Sequence, residues 1–169
     1  MRILLADDEA VIRLGLRAML EDAGHQVVGT APNGRVAVEL AQSTQPDAVI
    51  LDIKMPVLDG LTAARQIMAH RPTAIVILTA FNQPDFVEQA NDASVFAYLV
   101  KPIKEERLTP TLEIAVSRFA EWQEIRAQVQ SLQESLEARD LIEQAKRVLM
   151  QSDGLTERQA FLKIHHQSR

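Results

Sequence analysis

Cysteine is absent from all 169 residues of the chain. Its absence excludes a disulfide-stapled scaffold and any thiolate metal site, and it is typical of proteins from a reducing compartment. No apolar run approaches the roughly 20 residues that a membrane-spanning helix needs. The opening segment reaches the acidic residues Asp7 and Asp8 too early for a secretory signal peptide. We therefore expect a soluble, cytoplasmic protein with no membrane partner.

A strong overall charge is also lacking, because the net charge of the chain is only −5. The charge is unevenly spread. From Arg139 onward there are six Lys or Arg residues against four Asp or Glu residues, so this tail carries +2 and the rest of the chain −7. An excess of two positive charges is typical of a solvated helix face. Charge alone therefore does not assign a partner to the tail.

Short apolar segments alternate with segments of helical spacing over the first hundred residues. The apolar segments are nearly continuous, as expected for strands that are covered on both faces. Five such β/α repeats predict an α/β domain with a doubly wound parallel sheet. The predicted strands are residues 2–6, 27–31, 47–52, 74–79 and 95–100.

Glycine and proline are missing between Pro110 and Gly154. Thr109 followed by Pro110 predicts a helix start, and the helix would then run for about 40 residues, or roughly 60 Å. Its apolar residues follow heptad spacing with one extra three-residue step. Packing on its own domain explains the first turns, and a two-stranded coiled coil is favoured beyond Trp122. The seam comprises Leu112, Ala115, Phe119, Trp122, Ile125, Val129, Leu132 and Leu136.

Polar residues end four of the predicted strands. Asp7 and Asp8 follow the first strand, Asp52 ends the third, Thr79 the fourth, and Lys101 follows the fifth. Ligands bind at this edge of an open parallel sheet. Three carboxylates close together repel one another, so that either one holds a proton or a cation lies among them. Mg²⁺ prefers such oxygen ligands. With Mg²⁺ bound, these residues could support the transfer of a phosphoryl group to Asp52.

These residues stand in motifs that resemble the receiver domain of two-component response regulators. The resemblance covers residues 1–120 and implies a five-stranded, flavodoxin-like (βα)5 fold. It also implies a sensor histidine kinase as the phosphoryl donor and Mg²⁺ as the cofactor. The motifs are "ILLADDEA", "DAVILDIKMPVLDG", "VILTA" and "AYLVKP".

The same resemblance implies a role for each residue that matches a motif. Asp52 is the phosphoacceptor, Asp7 and Asp8 bind the metal through their carboxylates, and Lys54 binds it through its backbone carbonyl. Thr79 and Lys101 contact the phosphoryl group, and Thr79 is a switch residue together with the aromatic Tyr98. A cis peptide bond is implied before Pro102.

Phosphatases of the haloacid dehalogenase type also use a nucleophilic aspartate at a strand end. They require a second aspartate two residues later as the general acid. Lys54 stands at that position here, which argues against a turnover phosphatase. We expect a protein that catalyses only its own phosphorylation and dephosphorylation.

The tail, residues 139–169, resembles the ANTAR module of RNA-binding antiterminators through "IEQAKRVLM" and "TERQAF". Gly154 is typical of a helix end, and Thr156 with Gln159 of a capping box that starts another helix. The resemblance implies a homodimer, paired through a coiled coil at residues 110–138, that binds two RNA stem-loops and prevents transcription termination. The candidate RNA-binding residues, chosen by charge and position, are Lys146, Arg147, Arg158, Lys163 and His165.

The family's module has three helices, whereas residues 139–169 provide two, so we expect a partial module with a frayed or partner-dependent end. The tail is also too short and too weakly basic for the common DNA-binding outputs, so no DNA partner is expected. Two functions remain open at this point. One is phosphorylation-controlled antitermination through RNA. The other is a receiver and coiled coil that bind a protein partner without binding RNA.

Overall fold

A computed structural model of the chain describes residues 1–80 and 95–167, with the backbone alone for residues 164–167. The chain divides into two compact units, Met1–Glu121 and Trp122–Arg169. They are described separately below. No helix in the described ranges is both long enough and apolar enough to cross a membrane.

The first unit is built on one five-stranded sheet in the order β2-β1-β3-β4-β5, and every strand pair is parallel. This confirms the predicted α/β fold, and each observed strand end lies within two residues of its predicted position. β1 therefore lies between β2 and β3, which places the strand order reversal beside it. The strands are β1 (Arg2–Ala6), β2 (Gln26–Ala31), β3 (Ala48–Asp52), β4 (Ala74–Ala80) and β5 (Ala97–Lys101).

Three helices connect the first four strands: α1 (Ala10–Asp22), α2 (Gly34–Thr44) and α3 (Gly60–His70). The starts of α2 and α3 are capped by side chains. Asn33 accepts a hydrogen bond from Val36 N at 3.0 Å, and Asp59 accepts one from Thr62 N at 2.9 Å. Each cap satisfies an amide that has no partner within the helix. The helical segment that the β/α repeats predict between β4 and β5 lies outside the described residues.

The core of the first unit is the central part of the sheet. All five residues of β3 are buried, as are the first five of β4. Ile50, Ile75 and Ile77 have no exposed surface. Burial on both faces explains why these strands read as continuous apolar runs rather than as alternating ones.

The long helix, α4 (Glu105–Ser152), begins earlier than the sequence predicted. The prediction of a start at Thr109 and Pro110 was wrong, since Pro110 lies inside the helix. The additional turn brings Leu108 into the core, where it is 1% exposed, beside the fully buried Leu112. Burial of a leucine side chain stabilises by about 2 kcal/mol, which offsets the hydrogen bond that proline cannot donate. Glu105 and Glu106 in the first turn also favour this start.

Further along α4, the helix is anchored to the first unit by an aromatic pair. The rings of Phe96 and Phe119 meet edge to face, with centroids 5.3 Å apart. The Arg118 guanidinium donates to the Phe96 carbonyl at 3.2 Å. Leu112 and Ala115, the first two residues of the predicted seam, are thus buried within the unit.

The second unit contains the rest of α4 and the short helix α5 (Glu157–Gln167). The predicted long and short helices are therefore confirmed. Gly154 takes the left-handed conformation, with φ of +64°, at the end of α4. The Gln159 side chain accepts hydrogen bonds from Thr156 N at 3.0 Å and Thr156 Oγ1 at 2.9 Å. In the predicted capping box, this is the bond in which the side chain three residues into the helix accepts from the N-cap amide.

The second half of the seam is exposed in the single chain. Ile125, Val129, Leu132 and Leu136 are 62%, 48%, 65% and 62% exposed. Four large aliphatic side chains on one stripe of a helix are what a coiled-coil partner covers. The pairing itself stays a prediction.

The turn after β3 depends on the absence of a side chain at Gly60. Gly60 N donates to the Ile53 carbonyl at 2.9 Å. A Cβ at this position would lie inside van der Waals contact of the Asp52 carbonyl oxygen, and that neighbour is backbone. The residue at 60 therefore sets how closely α3 approaches the end of β3.

We predict that Gly60→Ala destabilises the chain by about 1–3 kcal/mol, because the end of β3 must move. Gly15→Ala is the matched control, since a Cβ at Gly15 in α1 meets no atom within 4 Å. That change should stabilise by about 0.5–1 kcal/mol. Urea unfolding of both variants measures the difference, and an unchanged Gly60→Ala would contradict the steric argument.

Candidate functional site

Three carboxylates meet at the carboxyl edge of the sheet. Oxygens of Asp7, Asp8 and Asp52 all lie within 4.8 Å of one another. Asp7 is 1% exposed and Asp52 is 7% exposed, whereas Asp8 faces solvent. β1 and β3 are neighbours in the sheet, so that the residues at their ends necessarily converge. The structure thus brings the predicted acidic residues together.

Lys101, at the end of β5, joins two of these carboxylates. Its Nζ lies 2.7 Å from Asp7 Oδ2 and 3.0 Å from Asp52 Oδ1. Burial disfavours the charged ammonium, but the hydrogen bonds to Asp7 and Asp52 outweigh it and raise the pKa of Lys101. The Lys101–Pro102 peptide is cis, as the resemblance implies.

The electrostatics of Asp52 disfavour its ionised form. Burial raises the pKa of this carboxyl group, and the charges of Asp7 and Asp8 add to that effect. Lys101 lowers the pKa but does not cancel the rise. A carboxylate whose ionised form is disfavoured is stabilised by a nearby cation, or by a covalent bond that removes its charge.

Arg13 is a residue of the site that the sequence reasoning missed. Its Nη1 donates to the backbone carbonyls of Asp7 at 2.5 Å and Asp8 at 3.1 Å. Asp7 Oδ1 also accepts a hydrogen bond from Glu9 N at 2.8 Å. Arg13 in α1 therefore fixes the backbone of the acidic loop. In the sequence, the only indication of this contact was a cationic residue one turn into the helix that follows the loop.

The space beside Asp52 is an open cavity of about 290 Å³. Lys54 is exposed at its rim, and the loop that follows contains Val57 in the left-handed conformation, with φ of +69°. Valine rarely adopts this conformation, so the loop is strained next to the site. The cavity is lined by Asp8, Glu9, Asp52, Ile53, Lys54, Leu78, Thr79, Ala80 and Lys101.

Thr79 and Tyr98, the two predicted switch residues, lie on neighbouring strands. Thr79 pairs with Val100, which is two residues beyond Tyr98. Alternation along a strand therefore places Thr79 and Tyr98 on the same face of the sheet. The Thr79 hydroxyl is half-buried and donates to the Ala80 carbonyl at 3.2 Å. Tyr98 is 37% exposed.

The structure separates the candidate RNA-binding residues of the second unit into two groups. Two lysines take part in ion pairs: Lys146 with Glu143 and Glu157, and Lys163 with Asp153. The other two described candidates, Arg147 and Arg158, are exposed. The side chain of the fifth candidate, His165, lies outside the described residues.

Comparison with family models places two matches along the chain. Residues 3–113 match the response regulator receiver domain, and residues 130–169 match the ANTAR domain. The first match contains every residue of the carboxylate site, and the second contains α5 and the last part of α4.

Two curated relatives extend these matches. The transcriptional regulatory protein PdtaR of Mycobacterium tuberculosis is 49% identical over 160 residues, which is 95% of this chain and 78% of that protein. The transcriptional regulatory protein YdfI of Bacillus subtilis is 34% identical over 116 residues, which is 68% of this chain and 54% of that protein.

Among solved structures, the chain resembles the signal receiver domain of a modulated diguanylate cyclase from Desulfovibrio desulfuricans. The TM-score is 0.66 at 28% identity, and the match covers 70% of this chain and 95% of that one.

We predict that Asp52→Asn stabilises the chain at pH 7 by about 1 kcal/mol, measured by urea unfolding in EDTA. Asp52 has a raised pKa in the folded state. Folding is therefore disfavoured as the pH rises through that pKa, and a neutral amide removes this cost. The gain should shrink as the pH falls toward the ordinary carboxyl pKa of 3.8 and vanish well below it, where Asp52 is protonated in both states.

The matched control is Glu39→Gln, on an exposed position of α2. It should leave stability unchanged to within about 0.5 kcal/mol at both pH values. A destabilised Asp52→Asn at pH 7 would show that the ion pair with Lys101 outweighs burial and repulsion.

Proposed function

The chain belongs to the response regulators whose receiver domain is followed by an ANTAR domain, and we propose that phosphorylation of Asp52 is what switches it. It is a phosphorylation-controlled response regulator that acts by RNA-binding transcription antitermination, as the sequence predicted. The proposal concerns the residues that perform this function, the metal, and the partners.

Asp52 is the phosphoacceptor in this proposal. A carboxylate oxygen of Asp52 attacks the phosphorus of the phosphohistidine in a sensor histidine kinase. The P–N bond breaks, its electron pair returns to the imidazole, and an aspartyl phosphate results. The observation that carries the proposal is the Lys101 ammonium, shared by Asp52 at 3.0 Å and Asp7 at 2.7 Å. In this position the ammonium group can bind the anionic oxygens of the incoming phosphoryl group.

Mg²⁺ fits the donor set of this site. Asp7, Asp8 and Asp52 offer carboxylate oxygens within 4.8 Å of one another, and hard oxygen donors with room for water suit this ion. The backbone carbonyl of Lys54 is the fourth proposed ligand. When bound, the ion neutralises charge on the transferring phosphoryl group.

Thr79 and Tyr98 carry the switch in this proposal. The Thr79 hydroxyl is bonded to a backbone carbonyl, and a phosphoryl oxygen on Asp52 offers it a stronger, charged acceptor. Movement of Thr79 toward the phosphoryl group vacates space on the face that it shares with Tyr98. The aromatic ring then turns inward, which makes a two-state element biased by local charge.

Catalysis by the chain is limited to its own phosphorylation and dephosphorylation. Lys54 follows Asp52 by two residues, and a lysine cannot act there as the carboxylic general acid of a turnover phosphatase. We place the protein in the cytoplasm, where its kinase and its RNA would meet it. We assign it neither a membrane nor a DNA partner.

The second unit is proposed to work as a homodimer. The exposed stripe from Ile125 to Leu136 belongs to the segment 110–138 that we assign to a coiled-coil linker. Residues 1–120 form the receiver in this division, and residues 139–169 form the part of the ANTAR module that binds RNA stem-loops. Pairing covers the stripe and presents two modules at once, which multiplies affinity for a tandem RNA target.

We predict that an acyl-phosphate donor labels the chain with one phosphoryl group in Mg²⁺, as read by mass spectrometry. Asp52→Asn should abolish the label, and EDTA should slow labelling of the wild-type chain at least about tenfold. Asp59→Asn is the matched control, because asparagine also caps α3. It should be labelled to the wild-type extent. Label retained in Asp52→Asn would contradict the assignment.

We also predict that the phosphorylated chain is a dimer that retards tandem stem-loop RNA in a gel. Leu132→Lys should yield monomers and lower RNA affinity about hundredfold, because avidity is lost. Ala127→Lys adds the same charge on the far side of the helix and should leave both properties intact. A dimer that retards no RNA would favour a protein partner for the coiled coil instead.

A further inference from the structure

Lys146 differs in its burial from the other described cations of the second unit. Lys146 is 9% exposed. Among the described residues of this unit, it is the one charged residue that is buried. Its Nζ lies 2.8 Å from Glu143 Oε1 and 2.9 Å from Glu157 Oε1. The hydrogen bonds to Glu143 and Glu157 raise the pKa of this ammonium group. Two of its three donors are therefore already used.

The two carboxylates belong to different helices. Glu143 lies one turn before Lys146 in α4, whereas Glu157 is the first residue of α5. An acidic side chain at a helix start is itself favourable, because it faces the positive end of the helix dipole. Lys146 thus ties the start of α5 to the last turns of α4. An RNA phosphate would meet an ammonium group with one donor left, whose charge two carboxylates of the protein already offset.

Lys163 is in a different position. Its Nζ lies 2.7 Å from Asp153 Oδ2, but the two side chains are 45% and 39% exposed. Water and salt screen such a surface pair, and it contributes little to holding structure. In the clamp, defined as Lys146 with Glu143 and Glu157, the carboxylate side chains are also exposed, at 48% and 70%, but the Lys146 side chain is 11% exposed and is shared by carboxylates of two helices.

Arg147 and Arg158 stand next to the clamp in the sequence. Arg147 follows Lys146, and Arg158 follows Glu157. Neighbouring residues of a helix point about 100° apart, so the clamp that turns Lys146 and Glu157 toward each other also sets the direction of both guanidinium groups. Within the described part of the chain, neither arginine forms an ion pair. A guanidinium group binds phosphate with two parallel hydrogen bonds, which an ammonium cannot do.

We propose that Lys146 is a positioning residue that joins α5 to α4 through Glu143 and Glu157, and that Arg147 and Arg158 contact the RNA phosphates. This inference rests on the RNA-binding function proposed above. The inference assigns different roles to candidate RNA-binding residues that the sequence could group only by their charge. Lys146 acts through the helices, and the arginines act on the ligand.

The test measures the affinity of the full chain for tandem stem-loop RNA over a series of KCl concentrations. Loss of one phosphate contact lowers the slope of log K against log salt by about 0.7–0.9. Arg147→Gln and Arg158→Gln should each lower the slope by about that amount per protomer. Lys146→Met should weaken binding at least about tenfold with an unchanged slope, because the same arginine contacts form in the complex but α5 must first be ordered on α4. Lys104→Met, in the first unit, controls for the loss of one positive charge.

The charge swap distinguishes the roles directly. Lys146→Glu combined with Glu157→Lys keeps the net charge and one ion pair between α4 and α5 but sets two acids together at 143 and 146, so binding should recover at least about threefold over Lys146→Met. A phosphate-contacting lysine would not be rescued in this way. A lowered slope in Lys146→Met, or failure of the swap, overturns the proposal.

Amide hydrogen exchange without RNA separates this inference from the function on which it rests. Residues 157–163 should lose protection in Lys146→Met and regain it in the swap. Unchanged protection in Lys146→Met overturns the positioning role, whatever the RNA result. A wild-type chain that binds no RNA overturns the proposed function, while the exchange data still decide whether Lys146 holds the helices.

Discussion

The sharing of one ammonium by two buried carboxylates is the interaction on which the first unit depends. Asp7 and Asp52 are brought together because β1 and β3 are adjacent, and Lys101 reaches them from the far edge of the sheet. Burial of Asp7 and Asp52 beside the exposed Asp8 costs free energy that the ammonium offsets only in part, as the raised pKa of Asp52 records. The site is thus stable enough to fold, but its carboxylates keep negative charge that is not fully compensated. That remaining charge favours the binding of a cation. Reactivity and marginal stability have the same physical source here.

Much of this unit was predictable because its signals are local. Continuous β-branched runs are sufficient to predict a parallel sheet, and the strand ends then determine that Asp7, Asp52 and Lys101 converge. The contribution of Arg13 was missed, because it contacts backbone carbonyls, which every residue type has, and only its position one turn into α1 pointed to it. The helix start was also misjudged. Thr109 and Pro110 form a strong local signal, but burial of Leu108 outweighs it.

The second unit was harder to predict for a different reason. Its five candidate RNA-binding residues were chosen by charge, and charge does not reveal which cation already has a partner. Lys146 looks like any other helical lysine in the sequence, yet its carboxylate partners are three and eleven residues away. A pair at three residues is visible from helical spacing. A pair across the turn at Gly154 requires the fold.

The exposed stripe on α4 has a further consequence if two chains pair through it as proposed. Association would then follow mass action, so the fraction of chains with a covered stripe would rise with total concentration. If each copy is phosphorylated independently, doubly modified pairs grow as the square of the modified fraction. A paired regulator of this construction would ignore weak signals and respond steeply to strong ones. In such a pair, the four exposed aliphatic side chains would set a threshold that the acidic site alone does not possess.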